Sequence, residues 1–439
     1  MKSGWAAVAL GALITAGLVW TARMPEAGLS WRLAFVALHL GAALLLVMYL
    51  DRCSPTRAAC LWGAVLFRVL AFPMLPTLSD DGYRYIWDGR VVVERGESPY
   101  TYRPSDPALA SERATAEFRR MNSPHYHSVY PPASQAVFAL AVAARGSTPW
   151  PGPWWTLKLL LLLFEGVAVV LLMRHAGARA AAGYAWHPLS VMEVAGQAHT
   201  EALIVGLLAV ALFMTARWPV RSVALSVAGA VKVYPLALLP LAWRREGWAG
   251  VIGTGCAVGI MTVPLWPADA RQHVAESLGL FFGTFDAYAG PYRLLKALVY
   301  PVVGDTAGAV ASRVLSIGLA FLALAAAAGD DGTRDGLRRG VTLVLVGVAT
   351  AASTLHPWVL LPLLFVVPLM RHRAAVLWLI GWASATYLGY VVPGASDLVL
   401  GIGWGGMVGI WLSRRLGSDP PPAPRLPGPI RPAGSAGTR

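Results

Sequence analysis

Asp80 and Asp81 stand side by side at the start of the polar stretch SDDGYRYIWDGRVVVERGESPYTYRP, Ser79–Pro104, directly after the apolar run Leu61–Pro76. Two like charges against an apolar wall raise the proton affinity of at least one partner, which suits a general base acting on a hydroxyl. Tyr83, Arg84, Trp87, Asp88 and Arg90 follow, and on a helix Tyr83 would share a face with Trp87, and Arg84 with Asp88. The spacing predicts a juxtamembrane helix with an aromatic side at the membrane interface and a charged side lining a pocket. Taken alone, the loop also reads as an interfacial belt with solvated charges.

Three later stretches carry polar groups in apolar surroundings. AWHPLSVMEVAGQAHTEAL, Ala185–Leu203, holds Glu193, Gln197, His199 and Glu201, and ionisable groups inside membrane segments mark function by default. The break at Gly196–His199 would turn a helix N-terminus toward an anion, whereas the bland alternative is interhelical hydrogen bonding. GAVKVYPLALLP, Gly229–Pro240, sets Lys232 ahead of Tyr234, and that ammonium needs an anionic partner, either a carboxylate such as Glu165 or a ligand phosphate. Leu355-His356-Pro357-Trp358 begins another apolar segment, with Trp358 as either an interfacial residue or a sugar-stacking platform. Tyr130, before Pro131 and Pro132, begins an apolar segment too, and His125 and His127 precede it. Asp286, Arg293 and Lys296 sit among aromatics that suit an interfacial flap, and Arg68 and Glu165 are expected to pair with other buried groups.

Composition dictates what must position these residues. The 439-residue chain is 56% hydrophobic and 13% charged, where a soluble chain has about 25% charged residues. The expected fold is all-α, a polytopic transmembrane helical bundle of about 12–13 membrane segments with outer loops carrying short interfacial helices. Candidate segments are Trp5–Ala22, Leu33–Leu50, Ala58–Pro76, Ala133–Ala144, Trp155–Met173, the Pro-interrupted Tyr184–Gly196, Ala202–Ala216, Val220–Trp243 and Val251–Trp266. Ala307–Ala327, Val341–Thr354, Val359–Met370, Leu377–Val392 and Leu398–Leu412 complete them.

The formal charge of +13 is concentrated in short connections and the tail, which points to membrane topology and not to nucleic acid. Arg52, Arg57, Arg244, Arg245, Arg334, Arg338, Arg339, Arg371, Arg373, Arg414 and Arg415 read as cytoplasmic, which puts the loops 77–130 and 267–300 outside. Simple alternation then leaves Arg174 and Arg179 on the wrong side, unless Ala133–Ala144 or Val220–Trp243 is re-entrant or broken. Residues 1–415 read as one integral membrane domain and 416–439 as a disordered Pro/Gly/Arg-rich cytoplasmic tail. The first apolar run is too long for a secretory h-region, and Cys53, Cys60 and Cys256 have no metal-ligand spacing.

In order along the chain, SDDGYRYIWDGR, GESPY, YPP, HPLSVMEVAGQAHTEAL, VKVYPLALLP and LHPW resemble the GT-C superfamily of polyprenyl-phosphate-sugar-dependent glycosyltransferases. The similarity is to bacterial phosphatidylinositol-mannoside mannosyltransferases and to the first mannosyltransferase of GPI-anchor synthesis. It implies inverting transfer of a hexose, mannose at family level, to a lipid or glycan acceptor on the outer face of the cytoplasmic membrane. Catalysis would fall to Asp80 or Asp81. Registering on the shared Tyr puts Asp80 at the first Asp of the family's Asp-x-Asp pattern and Gly82 at the second. Lys232, Arg84, Arg90 and His199 become candidates for the donor phosphate. Tyr83, Trp87, Asp88, Tyr130, Glu193, Gln197, Glu201, Tyr234 and His356 become candidates for substrate contact. The leaving phosphate monoester carries its own charge, so no cofactor or divalent metal is expected. His187 and His199 stand where the family has Asn. A multi-pass transporter or lipid flippase is the alternative, and a structural partner of an envelope complex a third class.

Overall fold

A computed structural model describes residues 2–23, 28–145, 151–214, 218–283, 285–370, 387 and 404–406. The expected segments Leu377–Val392 and Leu398–Leu412 (apart from Tyr387 and residues 404–406), the basic residues Arg371, Arg373, Arg414 and Arg415, and the tail 416–439 lie outside the described residues.

The chain begins with α1 (Lys2–Ala22), α2 (Leu29–Arg52) and α3 (Arg57–Ala71), then α4 (Asp81–Arg95), the short α5 (Ala116–Arg120) and α6 (Pro132–Ala143). Next come α7 (Gly152–Ala185), α8 (Pro188–Ser190), a π-helical turn at Val191–Gly196, α9 (Glu201–Phe213) and α10 (Val220–Gly229). The remainder is α11 (Leu239–Met261), α12 (Ala268–Gly283), α13 (Gly290–Val303), α14 (Ala307–Ala328), α15 (Arg334–Ala351) and α16 (Leu361–Val366). Among the described residues there is no strand, only a bridge between Ala287 and Thr354.

Local sequence sets the boundaries. Thr56 caps α3 by accepting a hydrogen bond from Ala59 N, and Gly96 ends α4 at φ 68°, a left-handed position that suits glycine. Gly177 at φ 87° and Gly247 at φ 59° break α7 and α11.

Four helical stretches are long and apolar enough to cross a membrane, Gly4–Ala22, Leu29–Arg52, Gly152–Ala185 and Gly290–Ala328. Pro132–Ala143, Glu201–Phe213, Val220–Gly229 and Pro357–Leu369 are shorter apolar helices. Val220–Trp243, expected as one segment, is interrupted after Gly229, whereas Ala133–Ala144 is the single short helix α6 and Val359–Met370 is a short helical stretch around α16. The stretch 267–300, expected as a polar loop, is largely α12 and α13. Outward-facing Leu13, Leu163, Phe321 and Val302 are at least two-thirds exposed, which suits a bilayer as solvent.

The structure also resolves the alternation around α6. Tyr85 of α4 stacks on Phe138 of α6 with centroids 4.5 Å apart, and Arg145 pairs with Glu94 at 2.6 Å. Gly89 allows this close approach, since a Cβ there would lie 2.4 Å from the Phe138 carbonyl oxygen. α6 thus lies along α4, and α7 begins back at the first turn of α4, where Trp154 packs on Tyr83. Because α6 adds no crossing, Arg179 reaches the end of the bundle that holds Asp51, 3.6 Å away. Arg221 at the start of α10 pairs with Glu246 of α11 at 4.0 Å, and Arg245 of α11 pairs with Asp330 at 2.6 Å.

Candidate active site

The approach to the carboxylates is fixed from three sides. Lys158 of α7, fully buried, donates to the carbonyls of Phe72 and Met74 just after α3. Thr77 Oγ1 donates to Ala22 O at 2.7 Å, and Gln197 Oε1 accepts from the backbone N–H groups of Thr77 and Leu78 at 3.0 and 2.9 Å. Asp80 then stands at the N-cap of α4 without making a side-chain cap, and Asp81 occupies the first turn.

The two carboxylates differ in surroundings. Asp80 is exposed, yet partial burial raises its proton affinity, opposed by the Arg120 guanidinium. Asp81 is half-buried, and its proton affinity is raised first by burial. The Lys232 ammonium lowers it, Glu201 raises it, a hydrogen bond with Asn122 lowers it, and Asp80 raises it. Both acids are therefore raised in proton affinity, with the loop 96–131 on one side and Lys232–Glu201 on the other.

The rest of α4 is not laid out as the spacing suggested. Tyr83 and Trp87 are each 2% exposed and turn inward, against Trp154 at 5.2 Å and Phe118 at 5.5 Å, so they do not form a membrane-interface face. Arg84 and Asp88 pair at 2.6 Å, but within the packed loop and not along a pocket. Arg84 also donates to the carbonyls of Ser123 and Tyr126, and Asp88 accepts from Ser128 and Gln135. Arg90 is engaged by Glu94 at 2.9 Å and Glu117 at 3.5 Å. The structure does not bring Arg84 or Arg90 to the carboxylate pair as open cations; helix α4 spends their charge on holding the loop together.

The middle of the chain converges on Asp81. Lys232 Nζ binds Glu201 Oε1 at 2.6 Å, so its partner is Glu201 and not Glu165, which Arg68 occupies. The π-helical turn carries Glu193, and the chain passes through Ala198 at φ 63° before α9 starts at Glu201. A π turn beside a left-handed non-glycine residue is strained backbone of the kind found at functional sites. It leaves Glu193 Oε2 and His199 Nε2 3.3 Å apart without hydrogen-bonding geometry. Among the described residues, both carboxylate oxygens of Glu193, both ring nitrogens of His199, Gln197 Nε2, Thr200 Oγ1, Glu201 Oε2 and Tyr234 OH have no hydrogen-bond partner.

A ring column closes this group. Trp358 stacks on His199 at 3.9 Å and on His356 at 4.4 Å, both nearly parallel, so imidazoles cover both faces of the indole. Trp358 is thus neither an interfacial residue nor a free platform for a sugar. Tyr288 packs edge-on to His356 at 6.0 Å, and backbone bonds between Ala287 and residues 353 and 355 tie the segment between α12 and α13 to the column. Tyr130 meets Tyr85 edge-on at 4.9 Å and feels the Asp81 charge. His127 stacks on His273 at 3.8 Å, away from the carboxylates. Among the described residues no group of three or more His, Cys, Asp or Glu could hold a metal ion.

Residues 2–245 match the family model described as alpha-(1->6)-mannopyranosyltransferase, N-terminal domain, MptA_B family. The chain belongs to this family. The match covers more than half of the chain and contains every polar residue of the cluster except His356. No curated protein and no solved structure matches the chain.

A mannosyltransferase needs a group to deprotonate an acceptor hydroxyl, positive charge for a leaving group, and polar contacts for a sugar. The cluster offers all three residue types at one end of the helical bundle. Three of its supports escape sequence reasoning. Lys158 sits inside an apolar run, and that alone could have marked it. Arg120, which donates to Tyr83 OH at 2.9 Å within electrostatic range of Asp80, and Asn122, hydrogen-bonded to Asp81, follow in an ordinary-looking polar stretch whose spacing does not announce either role.

Proposed function

We propose that this mannosyltransferase carries mannose from a polyprenyl-phosphate donor to the 6-hydroxyl of a mannose-bearing lipid or glycan acceptor at the outer face of the cytoplasmic membrane. The linkage follows the printed description of the family. The observation that carries the reading is the meeting of the Asp80–Asp81 pair with Lys232–Glu201 among apolar helices, where a lipid-borne anion and a water-soluble hydroxyl can both arrive.

The displacement inverts C1, so an α product requires a β-linked donor. The acceptor O6 attacks C1 while its proton passes to a loop carboxylate; the C1–O bond to phosphate breaks and its electron pair leaves on the phosphate oxygen. Asp80 is assigned as the base because it is exposed toward an incoming acceptor and matches the first Asp of the related pattern. Asp81 stands behind it. Lys232, one of whose three N–H donors is held by Glu201, and Arg120, beside Asp80, supply the positive charge for the leaving phosphate. On this reading the cations carry the developing charge and no metal is needed.

The test is transfer of labelled mannose from polyprenyl-phosphate mannose by the purified protein in lipid. Wild-type protein yields an α-(1→6) product and none with a 6-deoxy acceptor, and Asp80→Asn is folded and nearly inactive. Full activity in both Asp80→Asn and Asp81→Asn removes the base assignment. Solute flux across the membrane without any transfer makes the protein a transporter.

A further inference from the structure

Eight unpartnered buried polar atoms, on Glu193, Gln197, His199, Thr200, Glu201 and Tyr234, lie together beside Lys232, and they differ in kind from the phosphate-binding cations. Glu193, Thr200 and Glu201 have no exposure, and Gln197 and His199 have 1% each. A buried polar atom without a partner costs about 1–3 kcal/mol, so several side by side call for a ligand or ordered water that satisfies them. Two of these residues are carboxylates, and the electrostatic range of Glu193 includes Glu201. Glu193, unlike Glu201, has no Lys or Arg partner among the described residues, so its side of the group disfavours a phosphate. It does not repel a neutral polyol, each hydroxyl of which both donates and accepts.

The donor and acceptor inventory suits such a polyol. The Glu193 oxygens accept, the His199 ring offers one donor and one acceptor, and Gln197 Nε2 donates. Gln197 also links this group to the chemistry, because its Oε1 accepts from the N–H groups of Thr77 and Leu78, three and two residues ahead of Asp80. His199 lies within electrostatic range of Lys232, so a sugar held by these groups would have its C1 between the cation for the phosphate and the loop base.

We propose that Glu193, Gln197 and His199 form the subsite that reads the hydroxyls of the donor hexose, and that His199 acts on the sugar and not on the phosphate. This rests on the reading above that the donor is a polyprenyl-phosphate hexose. The subsite sets which sugar is transferred, while Lys232 and Arg120 serve the phosphate common to all such donors.

The experiment compares kcat/KM of wild type, Glu193→Gln and His199→Gln with polyprenyl-phosphate mannose and with its 2-, 3-, 4- and 6-deoxy analogues. It also measures inhibition by sugar-free polyprenyl phosphate. In wild type at least one deoxy donor falls by about 10²-fold or more, as expected when buried polar groups lose their partner. Glu193→Gln and His199→Gln each lose activity on the full donor but little further on the deoxy donor whose hydroxyl they contact, and neither changes inhibition by polyprenyl phosphate. Lys232→Met weakens that inhibition. The proposal is overturned if Glu193→Gln and His199→Gln lower kcat/KM by one common factor on every donor, leave it unchanged, or weaken inhibition by the sugar-free phosphate. If wild type uses no polyprenyl-phosphate donor, the underlying reading falls and this proposal with it; transfer in wild type with one of the preceding outcomes sinks the subsite alone.

Discussion

Two of the acid–base pairs among the helices, Arg68–Glu165 and Lys232–Glu201, are completed to different degrees. Arg68 and Glu165 form a two-pronged pair at 2.6 and 2.7 Å. The remaining Arg68 donor reaches the carbonyls of Ala64 and Ala185, and Tyr184 OH donates to Glu165 at 3.1 Å. Lys232 and Glu201 make one contact at 2.6 Å, with Glu201 Oε2, Glu193 and His199 left unsatisfied beside them. A fully satisfied buried network rigidifies the packing of the helices around it, whereas a half-satisfied one is costly and persists where a ligand completes it. The same contrast separates Asp88, which accepts from Arg84, Ser128 and Gln135, from Asp81 seven residues earlier. Completeness of hydrogen bonding divides the Arg68–Glu165 pair, which joins helices, from the Lys232–Glu201 pair at the candidate site.

That division can be broken by mutation. Asp80→Asn is expected to lower kcat by about 10²–10⁴-fold, the usual worth of a general base, with an unchanged melting temperature. Arg68→Met leaves Glu165 charged and unpaired, and is expected to destabilise the fold by about 3–5 kcal/mol, read as a drop in thermal midpoint in detergent, while activity per folded molecule is kept. A stable but inactive Arg68→Met protein would move that pair into the site and end the distinction. Lys232→Met should cost about 10²-fold in kcat/KM per folded molecule, chiefly through donor use. A loss confined to stability would make Lys232 part of the scaffold.

The smallest effect is a shift in pH dependence, and it tells the two acids apart. The base must be ionised, so activity falls as pH drops through its pKa, and burial places that limb above the ordinary carboxylate range for both Asp80 and Asp81. Arg120 opposes the rise at Asp80, and Lys232 opposes it at Asp81. If Asp80 is the base, Arg120→Gln moves the acid limb of kcat/KM to higher pH and Lys232→Met moves it less. The reverse pattern, measured on the same protein, assigns the base to Asp81.

Composition and apolar run length determined that the chain is a helical membrane protein, because continuous apolar runs of about 20 residues satisfy their own backbone in hydrocarbon as helices, whereas barrel strands are about half as long. The order of its polar motifs determined its kinship, and intramembrane Glu193, His199, Glu201 and Lys232 were conspicuous because ionisable groups there need a reason. Periodicity placed Tyr83 with Trp87 and Arg84 with Asp88 on a helix that does form, over Asp81–Arg95, but not the direction in which those faces point. Only the tertiary structure turned the aromatic face inward, spent Arg84 on Asp88, gave Lys232 to Glu201 instead of Glu165, and laid α6 along α4 so that it adds no crossing. The physical reason is that hydropathy and helical spacing are properties of neighbours in the chain. Pairing partners 97 residues apart, such as Arg68 and Glu165, or the reach of Asn122 to Asp81, depend on how helices pack across the bundle.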